Sequence, residues 1–134
     1  MKILNLIIKQ KYFDAIMQGS KVQEFREIRP TTVKKYIQID QEGYEVCDEE
    51  TGQSIPIKYD AIRFFVGYNT DRDSALVEVK DAYVQDFVDE EGELITYEFG
   101  KDKQGNPMTW VASQVVYNLG KIIENDIKPK SKRV

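Results

Sequence analysis

The chain has 134 residues, of which 41% are apolar and 11% aromatic, enough to bury one core without division into several domains. It contains no histidine and a single cysteine, Cys47, which excludes serine-histidine triads, histidine metal sites and internal disulfides. The formal net charge is -4, but residues 127-134 hold four basic residues and no acidic one, which leaves 15 basic against 23 acidic residues elsewhere, about -8. That acidic body disfavours broad, non-specific binding to nucleic acid.

The apolar segments are short. Runs such as Ile3 to Ile8 fall far below the ~20 residues that cross a bilayer. The apolar stretch behind Lys2 is soon followed by Lys9 and Lys11 and has no small-residue cleavage site, so we expect no signal peptide. One cysteine suits a reducing compartment. These features together favour a cytoplasmic protein with no membrane segment.

The first forty residues predict two strands and two short helices. Residues 2-8 are rich in isoleucine and leucine, which is typical of a buried strand. An apolar stripe at helical spacing follows over residues 11-18, and Gly19 stands where a left-handed C-terminal cap is wanted. Residues 21-27 predict a second strand. Proline and two threonines then begin a second short helix over residues 30-37.

The rest of the chain predicts strands. They cover residues 44-47 and 54-57, as two arms of a hairpin, and then 60-68, 75-84, 94-99, 110-117 and 119-123. Gly120 is expected to interrupt pairing in the last segment. Six or so short strands with two early helices predict an α+β domain over residues 1-126, built as a curled sheet or small open barrel. Residues 127-134 are expected to form a disordered basic tail.

The second predicted strand carries an unusual number of charges. Alternate side chains of a strand share a face, so Glu24 and Arg26 should point one way and Phe25 the other, with Phe25 on the core side. Lys21 follows a Gly-Ser turn, where alternation need not yet apply, and its long stem lets all three charges converge. Such a cluster suits an anion or an oriented polar ligand. The alternative is a half-exposed strand with charges on its wet face, where an ion pair contributes little.

Residues 11-26, KYFDAIMQGSKVQEFR, resemble the start of the ASCH family within the PUA-like superfamily. The family signature is Gly-x-Lys-x-x-Glu-x-Arg after a strand and a short helix, and every position is matched, by Gly19, Lys21, Glu24 and Arg26. The resemblance implies a PUA-like small open β-barrel with two short N-terminal helices and a cleft lined by the lysine, glutamate and arginine. It further implies binding of RNA or a nucleotide-like small ligand, with no cofactor.

Three further residues are candidates to contact such a ligand. Tyr68, followed by Asn69, and Trp110 each adjoin a polar loop, where an exposed ring can stack on a base. The competing interpretation is structural, because tyrosine and tryptophan in strands usually pack in the core.

Enzymatic activity is the second hypothesis, because some very small ASCH proteins that this chain resembles are amidohydrolases acting on acylated cytidine. That resemblance implies a metal-independent amidohydrolase with Lys21 and Glu24 as catalytic residues and a substrate such as N4-acetylcytidine. In those amidohydrolases a lysine, a threonine and a more distant glutamate have catalytic roles. Lys21 matches the lysine, but the threonine position is Glu24 here, so Thr31 or Thr32 would replace the threonine only if the fold brings one beside Lys21. Glu78 is either the distant carboxylate or simply the outward side of its strand.

A third hypothesis is a protein-interaction adaptor that uses the acidic hairpin at residues 48-52 or the basic tail from Lys128. Charge runs at turns and termini are usually only solvated. The acidic segments at residues 48-50 and 89-91 do not follow the alternating ligand pattern of a calcium loop, so we expect no metal site.

Overall fold

The computed structural model describes residues 1-129. Within them the chain forms seven strands and two helices. In order these are β1 (Ile3–Ile8), α1 (Gln10–Gln18), β2 (Gln23–Ile28), α2 (Val33–Tyr36), β3 (Ala61–Val66), β4 (Ser74–Asp86), β5 (Thr96–Lys101), β6 (Pro107–Val111) and β7 (Ser113–Asp126). The predicted α+β composition, mostly strands with two short helices near the N-terminus, is confirmed.

Five strands form one mixed sheet in the order β1-β3-β4-β7-β2, and β5 and β6 form a separate antiparallel pair. β1 runs parallel to β3, with Ile3 opposite Ala61 and Ile8 opposite Val66, whereas β3 and β4 are antiparallel. The strand order is linear, so over the described residues this sheet is not closed into a barrel.

The chain divides into two compact units. The first unit comprises residues 1-24, 58-81 and the chain from Tyr117 onward, and the second comprises residues 25-57 and 82-116. Strands β2, β4 and β7 are continuous across the division, so each contributes residues to both units. The single domain predicted over residues 1-126 therefore stays a prediction.

The first unit has its core around β1, α1 and the centre of the sheet. Its buried apolar residues are Leu4, Leu6, Ile8, Phe13, Ile16, Ala61, Ile62, Phe64, Ala75, Leu76, Val77, Tyr117 and Leu119. Phe13 and Ile16, three positions apart, bury one face of α1. Gly19 ends this helix at φ +83°, a left-handed conformation that costs glycine little, and its N–H donates to Ile16 O. The predicted cap is confirmed.

The second unit contains the predicted hairpin. Its arms are bridged at Cys47 and Ser54, and Ile55 N–H donates to Val46 O. The unit buries Ile28, Tyr36, Ile37, Val115 and Val116. Asp48 closes the tip of the hairpin by accepting hydrogen bonds from the backbone N–H groups of Glu50 and Thr51. The Asp48 side chain thus provides hydrogen bonds to backbone groups at the tip of the hairpin, beyond the ends of its short arms.

Three details differ from the expectations. Phe25 is 44% exposed, so it does not mark the core side of β2. The C-terminal strands have other bounds than the predicted 110-117 and 119-123. Strand β6 starts at Pro107, and β7 runs without a break through Gly120. The start of the predicted disordered tail is held in place, since Lys128 N–H donates to Asp73 Oδ1 at 2.8 Å; residues 130-134 of that tail lie outside the described residues.

Neither helix over residues 1-129 is long and apolar enough to cross a membrane.

Candidate functional site

Lys21 and Glu24 meet at the end of α1. The Gly19-Ser20 turn folds back on the helix, with the backbone N–H groups of Ser20 and Lys21 both donating to Ala15 O. This arrangement places Lys21 Nζ 3.4 Å from Glu24 Oε1. Glu24 is only 6% exposed. A carboxylate buried to that degree is costly unless cations and hydrogen bonds compensate it, so the pair is an organised feature of the first unit.

The phase of β2 explains why this strand carries so many charges. Burial along it alternates so that Glu24, Arg26 and Ile28 share the inward face, with Arg26 half-buried, while Phe25 and Glu27 are exposed. The prediction that Glu24 and Arg26 share a face is confirmed. Their face is the inward one, however, and not the wet one that an ordinary half-exposed strand would offer. The charges are therefore not a solvated stripe.

An aromatic ring flanks the lysine. Lys21 Nζ lies 5.7 Å from the centroid of the Tyr12 ring, and Lys11 Nζ lies 4.9 Å from the same centroid. Cations at this distance from a ring face are attracted by its quadrupole. Tyr12 therefore helps to hold the ammonium group of Lys21 beside Glu24.

A cavity of about 270 Å³ opens beside Lys21 in the first unit. One wall is the last turn of α1 with its glycine cap, and the opposite wall is residues 119-122 of β7. Lys21 and Lys121 are the two charged side chains of its lining, and apolar groups such as Val77 and Leu119 form much of the rest. The cavity thus combines apolar walls with two ammonium groups.

Glu78 packs directly over Gly120 on the neighbouring strand. A β-carbon built on Gly120 would lie 2.0 Å from Glu78 Oε1, so only glycine leaves room for this carboxylate. Glu78 Oε1 in turn accepts a hydrogen bond from Lys121 N–H at 3.3 Å. Gly120 was expected to interrupt strand pairing. Instead, its missing side chain leaves space for the half-buried carboxylate of Glu78 next to the cavity wall.

A row of polar side chains crosses three strands of the same unit. Gln23 Nε2 donates to Asn118 Oδ1 at 2.7 Å, and Asn118 Nδ2 donates to Asp81 Oδ1. Sequence reasoning missed Asn118 and Asp81, because the partners lie 95 and 37 residues apart and no local pattern links them.

The other predicted site residues lie in different surroundings. Tyr68 is 84% exposed and Asn69 is also exposed, in the loop after β3 of the first unit. Trp110 belongs to the second unit, where its indole N–H donates to Ile28 O at 3.0 Å and its ring meets Phe99 edge-on at 5.6 Å. Arg26 also belongs to the second unit.

The two threonines considered as replacement nucleophiles lie in the second unit, just before α2. Thr32 Oγ1 accepts a hydrogen bond from Arg29 N–H at 3.0 Å. Lys21 and Glu24 lie in the first unit. Neither Thr31 nor Thr32 therefore belongs to the unit that contains the Lys21-Glu24 pair.

Two exposed residues of the second unit, Arg29 and Asp48, have shifted pKa values. The hydrogen bond and charge of Glu27 raise the pKa of Arg29. The backbone N–H groups of Thr51 and Glu50 lower the pKa of Asp48, because they stabilise its ionised form. Both effects follow from local hydrogen bonds.

Among residues 1-129, no three histidine, cysteine, aspartate or glutamate side chains are grouped so as to hold a metal ion. Comparison of the chain with protein-family models, with curated proteins and with solved structures finds no match.

Proposed function

We propose that this protein is an ASCH-like protein with the PUA-like small open barrel that the resemblance implies, and that it binds RNA or a nucleotide-like small ligand in the first-unit cavity. The observation that carries the proposal is that Lys21, which lines the cavity, is paired with the buried Glu24 on the inward face of β2. A buried ion pair is weak evidence for stability, so a pair whose lysine lines a cavity is a candidate ligand-binding feature.

The chemistry of the cavity suits one nucleotide-sized group. Lys21 and Lys121 supply charge for a phosphate, and Glu24, which does not itself line the cavity, orients the Lys21 ammonium group. The volume of about 270 Å³ lies near the lower bound of ~300 Å³ typical of small-molecule sites, which favours a single nucleoside or nucleotide. The net charge of -4 also favours a short ligand over a long RNA backbone.

Three further contacts are proposed from the sequence alone. The family resemblance assigns Arg26 to the same cleft. Tyr68 and Asn69, both exposed, are proposed to contact the base, with the ring of Tyr68 as a stacking surface. Trp110, the other aromatic residue predicted from the sequence, belongs to the second unit, where its N–H donates to Ile28 O, so we do not assign it to the first-unit cavity.

Titration with nucleosides, nucleotides and short single-stranded RNAs tests the proposal. Lys21→Ala and Lys121→Ala should each weaken binding about tenfold, as expected for loss of a charge-assisted hydrogen bond. Lys103→Ala is the matched control, since Lys103 is exposed in a turn of the second unit and should leave the affinity within twofold. Unchanged affinity in both cavity variants would refute the site. Lys21→Gln, which keeps a polar side chain, guards against misfolding.

Hydrolysis of an acylated nucleoside is the second candidate, favoured by the 3.4 Å contact between Lys21 and Glu24. Such a pair can pass a proton, but the family's threonine is missing from its position. Release of acetate from N4-acetylcytidine, dependent on Lys21, would support this activity. Absence of turnover at high protein concentration would exclude that substrate.

The adaptor hypothesis predicts neither nucleotide binding nor turnover. It predicts a protein partner that is lost when the basic tail from Lys128 or the acidic hairpin at residues 48-52 is deleted.

A further inference from the structure

The second unit contains a cavity of its own, of about 330 Å³. It is lined by the hairpin, the end of β4 and the β6-β7 segment. Val84, Val111, Ile28 and the chain's one tryptophan, Trp110, form an apolar wall. The ring of Trp110 is fixed by its hydrogen bond to Ile28 O, so this wall is already organised.

Two carboxylates line the same cavity, and no lysine or arginine does. Glu45 Oε1 accepts a hydrogen bond from Ser54 Oγ at 2.9 Å, and Asp86 Oδ2 accepts one from Gln53 Nε2 at 3.3 Å. Within residues 1-129 neither carboxylate makes an ion pair. Neutral donors orient both groups, and their negative charges are left uncompensated.

A largely buried serine lines the same cavity. Ser113 is 7% exposed and lines the cavity. Its hydroxyl makes no hydrogen bond to any other residue that the structure describes. The Ser113 hydroxyl is not fully enclosed by protein atoms, so a ligand in the cavity can donate a hydrogen bond to it.

We propose that this cavity binds an aliphatic diamine or polyamine. One ammonium group would lie between Glu45 and Asp86 and donate to Ser113 Oγ, and the hydrocarbon chain would pack on the apolar wall. A cation near Trp110 gains further attraction from the indole ring. An inorganic cation has no use for the apolar wall, and a neutral polyol gains nothing from two uncompensated carboxylates. The combination selects an organic cation.

The test is a titration of the full chain with cadaverine at constant ionic strength. Trp110 is the only tryptophan and lines the cavity, so its fluorescence reports binding there directly. We expect a saturable change, and we expect 1,5-pentanediol, of similar length but uncharged, to bind at least tenfold more weakly. Failure of cadaverine to saturate, or equal binding of the diol, would overturn the proposal. So would an equal effect of Mg²⁺ at the same concentration, because that response needs only surface charge.

Charge-neutral variants locate the site. Glu45→Gln and Asp86→Asn should each weaken cadaverine binding about tenfold, and Ser113→Ala a few-fold. Glu49→Gln is the matched control, because Glu49 is an exposed carboxylate of the same hairpin that does not line the cavity. Equal weakening by Glu49→Gln and Glu45→Gln would refute the site. Because Glu45 is exposed, its variant keeps the test decisive even if Asp86→Asn fails to fold.

Discussion

The close approach of Glu78 to Gly120 predicts a measurable coupling between these two positions. Replacing Gly120 by alanine puts a β-carbon 2.0 Å from Glu78 Oε1, 2.9 Å from its Cδ and 3.1 Å from its Cγ. Carbon contacts are normally about 3.5 Å or longer, so the carboxylate must retreat by roughly 1.5 Å. It then gives up the hydrogen bond that it accepts from Lys121 N–H.

The expected free energies are small but separable. Losing that hydrogen bond should cost about 1 kcal/mol. Alanine in the middle of a strand should gain about 0.5–1 kcal/mol over glycine. Gly120→Ala alone should therefore leave the free energy of unfolding almost unchanged. In a Glu78→Ala background, where neither clash nor hydrogen bond exists, the same substitution should stabilise the protein by about 0.5–1 kcal/mol.

Urea unfolding followed by far-UV circular dichroism measures this double-mutant cycle. Glu78→Gln is the matched control, because it keeps the size of the side chain and so should keep the clash. The coupling between Gly120 and Glu78 is refuted if Gly120→Ala has the same effect in the wild-type and Glu78→Ala backgrounds, within the ~0.5 kcal/mol typical of independent sites.

Three other predictions test local features. Gly19→Ala should lower the free energy of unfolding by about 1–2 kcal/mol, because φ is +83° there, and Gly19→Asn by less; equal costs in urea unfolding would contradict this. Asp73 is 2% exposed and accepts a hydrogen bond from Lys128 N–H. Asp73→Ala should therefore lower the free energy of unfolding by about 1–3 kcal/mol and speed hydrogen exchange of the Lys128 amide. Unchanged exchange would disprove this attachment of Lys128. The carboxyl of Asp48 should titrate below its ordinary pKa in an NMR pH series; its contribution to stability is present above the unfolded-state pKa and is lost as pH falls through the lowered one. An ordinary pKa for Asp48 would argue against its hydrogen bond from Thr51.

Local signals predicted the elements well. The apolar run of β1, the helical spacing of α1 and the left-handed glycine after it are each decided by near neighbours, and each is found as expected. The central strands β3 and β4 were also predicted within two residues at each end. Short-range preferences suffice where burial and propensity agree.

The orientation of β2 could not be predicted in the same way. A phenylalanine between two charges normally faces the core, yet here Phe25 is exposed and Glu24 is buried. Lys21, which the turn after α1 places next to Glu24, offsets the desolvation cost of burying that carboxylate. A hydropathy pattern does not include such a partner, so it predicts that a glutamate is exposed.

The surroundings of both cavities were beyond sequence reasoning for a related reason. Asn118 and Asp81 are joined only by strand order, and Asp86 and Ser113 line one cavity from two separate strands. The register between strands that are distant in sequence determines these contacts, and a short window of sequence does not encode that register.

The path of the chain through β4 and β7 has a consequence for biosynthesis. The first unit needs both the opening 24 residues and the stretch from Tyr117 onward. During translation, therefore, β1 can pair with β3 early, but β4 lacks one of its two neighbouring strands until β7 has left the ribosome. In a nascent chain stalled before residue 117, β4 should stay sensitive to protease, and it should gain protection once β7 emerges.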